Sequence, residues 1–119
     1  MTQYLVPQEG SFIEEGYLNE MGLIENMAQS SFIFLSYLKN QQEALLPDQG
    51  NAIGYISSIL SLEVTKRPQV GQLLQTQLMT ELVFSSEFLK ICKITGDIRV
   101  GENLIFKATM NMLLQSQAE

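Results

Sequence analysis

With 119 residues, 45% of them hydrophobic and 17% charged, the chain has the size and composition of one folded domain with a real core, not of a disordered segment. Its 13 acidic and 7 basic residues leave a net charge of −6, which argues against nucleic acid as a partner. Histidine is absent, and with it the commonest general base and the commonest metal ligand.

In chain order, residues 2–7 (TQYLVP) read as a short strand that stops before the turn signal Gln8-Glu9-Gly10. Ser11 to Leu18 (SFIEEGYL) is short and mixed, with Gly16 in its middle, and leads into a helix. Met21 to Leu38 carries Leu23, Ile24, Met27 and the run Phe32 to Leu35, too many apolar positions for the single stripe of a surface helix. The expectation is a helix wrapped on nearly every side by the rest of the fold. Asn19 is placed to cap it, offering a side-chain oxygen to orphan N–H groups. Glu25 and Gln29 lie one helical turn apart on the same face, where a carboxylate and an amide need pairing or a function. The helix is expected to fade over Lys39–Gln42. A polar loop follows from Gln41 to Asn51, with a turn at Pro47-Asp48-Gln49-Gly50.

The second half changes period. Ile53 to Lys66 is β-branched and apolar in strand-like order and is closed by Arg67-Pro68. Leu74, Thr76, Leu78, Thr80, Leu82 and Phe84 alternate with polar or exposed neighbours, the period of a half-buried strand. Ser85-Ser86-Glu87 turns the chain into a further strand, Phe88 to Gly96-Asp97, which carries Cys92 and Ile94 on one face. In the last strand Leu104, Phe106, Ala108, Met110, Met112 and Leu114 share one face, and Ile105, Lys107, Thr109 and Asn111 the other. Strands joined by short polar turns predict an antiparallel meander with one face covered. The fold class is therefore α+β: one long central helix wrapped by a curved antiparallel β-sheet.

Gly22-Leu23-Ile24-Glu25-Asn26-Met27-Ala28-Gln29 resembles the G-x-x-x-E-x-x-A-Q stretch that opens the central helix of hotdog-fold 3-hydroxyacyl-[acyl-carrier-protein] dehydratases. Arg67-Pro68-Gln69-Val70-Gly71-Gln72-Leu73 is similar to that family's R-x-P-V-x-P-G-D-x-L segment. Gly101 to Thr109 resembles its final strand. The likeness runs from about Tyr4 onward and implies a single hotdog domain over residues 1–119. It also implies a fold that assembles as a homodimer, or as a heterodimer with a related hotdog subunit, with acyl tunnels between protomers.

The chemistry implied is dehydration of a 3-hydroxyacyl thioester, carried by acyl carrier protein or CoA, in fatty-acid or polyene-type biosynthesis. In the family a histidine abstracts the proton next to the carbonyl, and the helix carboxylate assists departure of the hydroxyl. Backbone N–H groups at the helix start polarise the thioester carbonyl. By position Glu25 matches the carboxylate and Gln29 the following amide; Gly22 and Leu23 lie where the carbonyl would be held. The histidine is missing here, so a self-contained dehydratase dyad cannot be built from this chain. The resemblance then implies activity only with a histidine-bearing partner subunit, or a non-catalytic acyl-binding or scaffold role. A hotdog thioesterase using the helix carboxylate is the alternative. Tyr17 and Glu15 sit near the vacant position in sequence, but neither is expected to substitute.

For other residues the plainer reading prevails. Ser30 and Ser31 have no base nearby in sequence, and Cys92 belongs to an apolar strand face. Met110 and Met112 are gap fillers or tunnel lining. Lys66-Arg67 is either a solvated strand end or a contact for an acidic carrier or a pantetheine phosphate. No cofactor and no metal are expected. Glu25, Asn26 and Gln29 interrupt the most apolar run, so no membrane span is expected. The single cysteine fits a reducing compartment, and MTQYLVPQEG lacks the basic and apolar regions of a signal peptide, which together predict a cytoplasmic protein. An exposed sheet edge would be an aggregation hazard without a second subunit.

Overall fold

A computed structural model describes residues 2–40 and 52–116. The polar loop expected over Gln41–Asn51 lies outside them. The chain runs β1 (Thr2–Leu5), β2 (Ile13–Glu14), β3 (Tyr17–Leu18), α1 (Glu20–Asn40), β4 (Ala52–Val64), β5 (Leu73–Ser85), β6 (Leu89–Val100) and β7 (Asn103–Ser116). Strands β1, β5, β6, β7 and β4, in that spatial order, form one antiparallel sheet, and β2 with β3 forms a separate hairpin.

The sheet is a meander at its centre. Ser86 closes the β5–β6 turn, its N–H donating to the Leu89 carbonyl at 2.7 Å. Gly101, at φ 61°, makes the tight turn from β6 into β7, where Val100 faces Asn103. Strand β6 does not stop at Gly96-Asp97 as its turn-like pair suggests; it continues to Val100. Gly96 is needed there for want of space, because a Cβ would meet the Gln77 carbonyl oxygen at 2.9 Å and the Met27 methyl at 2.9 Å. The last strand also departs from simple alternation. A register shift opposite Ile98/Arg99 puts both Ile105 and Phe106 in the core and leaves Leu104 exposed. Two further irregularities in β4, at Ile56/Ser58 and Ile59/Ser61, bend that strand against β7.

Helix α1 is 21 residues long and begins on its predicted cap: the Gly22 N–H donates to Asn19 Oδ1 at 2.9 Å. Leu23 and Met27 are fully buried on the sheet, among Leu74, Ile94, Ile98 and Met110. Asn26 is buried too, donating to Thr76 Oγ1 at 2.9 Å, and Ser30 accepts from Thr2 Oγ1 at 2.7 Å, tying α1 to β5 and β1. The helix is not covered on all sides, which corrects the sequence expectation for its described side chains. Met21, Glu25, Gln29 and Ile33 form an exposed stripe, with Met21 59% and Ile33 61% accessible. The reason is geometric: a single sheet covers one side of a helix, and these positions recur every four residues on the other.

Candidate functional site

The helix start is held from above by the small hairpin. Ile13 pairs with Leu18 and Glu14 with Tyr17 around Glu15-Gly16, whose φ angles of 50° and 83° make a two-residue turn of the kind hairpins favour. The hairpin rests on Gly22, where a Cβ would meet Leu18 Cδ1 at 2.5 Å and Phe12 Cβ at 2.9 Å. Gly22 thus allows Phe12 to lie directly over the first turn of α1.

Beside this contact opens a cavity of about 620 Å³ between α1 and the start of β4. Phe12, Met21, Ile24, Phe32, Ile33, Tyr55, Ile56 and Met112 give it an apolar wall, and Gly54 lets Phe32 approach β4 closely, since a Cβ there would lie 2.6 Å from the ring. Its polar side is Glu25 and Gln29. Gln29 Nε2 donates to Glu25 Oε1 at 2.9 Å, leaving the other carboxylate oxygen for a bound molecule. A cavity this size, mostly apolar with one oriented polar pair, suits an alkyl chain that ends in a reactive polar group.

The expected site residues divide here. Glu25 and Gln29 come together on the cavity wall. Gly22 and Leu23 do not reach it: both are buried, and their N–H groups are occupied by Asn19, the first with its side chain and the second with its carbonyl at 3.2 Å. A substrate carbonyl would have to replace the Asn19 cap to use them. Met112 lines the cavity while Met110 is sealed in the core. Tyr17 is turned elsewhere, its hydroxyl accepting from Gln69 Nε2 at 3.2 Å. Ser31 donates to the Met27 carbonyl and, like Ser30, serves the helix packing. Cys92 is fully buried, and that burial pushes its thiol above the ordinary range.

Arg67 stays exposed, and it is ion-paired within the chain. Its Nε and Nη2 grip both oxygens of Glu20 at 2.6 and 3.0 Å, and Nη1 lies 3.6 Å from Glu14. The hydrogen bond from Arg67 holds the Glu20 carboxyl below its usual value. Phe12, Gly54 and Tyr55 escaped the sequence reading. Met21 and Ile33 were reachable from it, being one helical turn before Glu25 and one after Gln29, but the β4 residues depend on a strand pairing that no local pattern reveals.

No protein-family model matches the sequence, and no curated protein matches it. Solved structures do. A chain of "The Dehydratase Heterocomplex ApeI:P from Xenorhabdus doucetiae" superposes with a TM-score of 0.63 and 18% identity, over 97% of this chain and 73% of that one. A probable thioesterase from Bartonella henselae gives 0.62 at 12% identity, covering 98% and 89%. A 1,4-dihydroxy-2-naphthoyl-CoA thioesterase from Synechocystis, Slr0204, gives 0.62 at 14% identity, covering 98% and 82%. At these identities the likeness establishes the fold alone: among the described residues, one helix and a five-stranded antiparallel sheet in the hotdog arrangement.

Proposed function

We propose that this chain is a dehydratase-like hotdog subunit that binds the acyl part of a 3-hydroxyacyl thioester and completes its active site with a partner. The observation that carries the reading is the Glu25–Gln29 pair, hydrogen-bonded and facing an apolar cavity, in a chain with no histidine. Dehydration needs a base to take the proton beside the thioester carbonyl and a second group to help the β-hydroxyl leave as water. Glu25, steadied by Gln29, is suited to the second task. The first falls to a histidine of a related subunit, and a solved dehydratase heterocomplex of the same fold supports that division of labour. In this proposal the helix lies at the centre of the dimer, and its exposed stripe of Met21, Glu25, Gln29 and Ile33 is covered once the partner is present. The setting is fatty-acid or polyene-type biosynthesis in the cytoplasm.

A thioesterase is the second reading, favoured by the accessible Glu25 and by several thioesterases among the structural neighbours, one of them with coenzyme A. There the carboxylate would activate water for attack on the thioester carbonyl and release free thiol.

One experiment separates them. Hydration of a crotonyl thioester is measured for the purified chain alone, then mixed with a histidine-bearing hotdog homologue, with Glu25→Ala run beside each. Activity that needs both the partner and Glu25 supports the subunit reading. Thiol release by the chain alone, lost in Glu25→Gln, selects the thioesterase. Failure to form a mixed dimer together with no turnover overturns the dehydratase proposal.

A further inference from the structure

Three parts of the chain meet beside the start of α1: the 65–72 loop, the β2–β3 hairpin and the first turn of α1, into which the hairpin runs directly through Asn19. Main-chain hydrogen bonds already join them, among them one from the Asn19 N–H to the Phe12 carbonyl at 2.9 Å. The Leu18 N–H donates to the Pro68 carbonyl at 2.9 Å and the Val70 N–H to the Gly16 carbonyl at 3.0 Å, joining hairpin to loop. Asn19 Nδ2 donates to Glu14 Oε1 at 3.3 Å, joining hairpin to the helix cap. Among the described residues, Arg67 reaches all three parts, since it belongs to the loop and contacts Glu14 of the hairpin and Glu20 of the helix.

We propose that Arg67 is a positioning residue of the acyl cavity: its fork on Glu20, with Glu14 alongside, sets the hairpin against the helix start so that Phe12 and Met21 form the rim beside Glu25. This inference rests on the reading of that cavity as an acyl site. The fork is what suits Arg67 to the task. Two parallel bonds to one carboxylate fix an orientation, where a lysine would supply only a point charge. The side chains are well exposed, at 44% for Arg67 and 42% for Glu20, so the pair contributes little to overall stability. Its effect is local. Glu20 directly precedes Met21, and Phe12 lies over Gly22, so a change in how the hairpin meets the first turn alters both rim residues together.

The test uses the full chain and a neutral probe, a pyrene-labelled acyl pantetheine thioester, so that charge changes do not act on the ligand directly. Arg67→Glu sets a third carboxylate against Glu14 and Glu20. It should weaken probe binding by about tenfold, leave the thermal midpoint nearly unchanged, and speed amide exchange at Leu18 and Asn19. The reciprocal pair Arg67→Glu with Glu20→Arg should recover most of both losses. Arg67→Gln, which only removes the charge, serves if Arg67→Glu does not fold and should show the same changes in smaller measure. Unaltered binding and exchange in Arg67→Glu would overturn the proposal, and so would a loss that the reciprocal pair fails to recover. If the wild-type chain binds no probe, the acyl reading fails instead. The exchange measurement then decides on the Arg67 contact alone, unchanged rates at Leu18 and Asn19 ending it.

Discussion

Gln29 donates its side-chain amide to the Glu25 carboxylate across one turn of α1, at 2.9 Å, on the wall of the apolar cavity. An exposed carboxylate next to water needs no such partner, so the bond serves orientation, holding one oxygen and presenting the other. Removing either side chain should leave the fold intact. We expect Glu25→Ala to shift unfolding free energy by less than about 0.5 kcal/mol, as exposed substitutions do, while abolishing hydration of a crotonyl thioester or release of thiol. Full activity in that variant would exclude Glu25 from the site. Gln29→Ala should reduce rather than abolish it.

Gly96 is a packing requirement. Its φ is not in the left-handed region, so an added methyl group brings only steric conflict, and part of that conflict is with the Gln77 main-chain oxygen, which cannot swing aside. Gly96→Ala should destabilise the domain by about 1–3 kcal/mol, seen as a lower urea midpoint at constant slope.

The Arg67–Glu20 contact has a definite pH signature. Arg67 lowers the Glu20 carboxyl from its ordinary value of 4.5, so the folded chain holds that proton less tightly than the unfolded chain. The contribution is fully present above pH 4.5 and is lost as pH falls through the depressed folded value. Followed by NMR, the Glu20 carboxyl should therefore titrate at lower pH in the wild type than in Arg67→Gln, and the small stability difference between the two should shrink in acid. A difference that grows in acid would contradict the assignment.

Cys92 combines complete burial with a thiol that is harder to ionise. Reaction with an aromatic disulfide should be slow in the native protein and immediate in denaturant, because the thiolate is the reactive form. Rapid native labelling would mean that β6 opens locally.

Strand β4 ends the sheet on one side, with Tyr55, Ile59, Leu60 and Leu62 all more than two-fifths exposed. Such an edge calls for a partner strand. Sedimentation should show a dimer and a thermal midpoint that rises with concentration. A monomer at all concentrations would contradict this.

Much of this was legible because each element carried its own signal. Asn19 announced the helix, alternation announced β5 and β7, and the four-residue spacing placed Glu25 beside Gln29. What failed were features set by neighbours. Gly96-Asp97 has the composition of a turn, and only the crowding by Gln77 and Met27 shows why a strand keeps a glycine there. Ile105 looked like a solvent-facing position until a one-residue slip against β6 reversed it. The hairpin was missed because two-residue strands are too short to show a period, although Glu15-Gly16 marked its turn. In the sequence Arg67 marks a strand end and carries a charge, but its pairing depends on Glu14 and Glu20, remote in sequence.

The sheet order also has a history in it. Strands β5, β6 and β7 are consecutive in the chain and adjacent in the sheet, whereas β1 pairs only through Leu73–Thr76, across more than half of the chain. Short loops close at lower entropic cost than long ones. We therefore expect the C-terminal meander to organise first and the N-terminal strand to dock last. On that hypothesis Ile94→Val slows folding, while Val6→Ala mainly speeds unfolding, and stopped-flow traces showing the reverse would refute the order. Helix α1 would then settle onto a sheet already formed, with Thr2 reaching Ser30 only at the end.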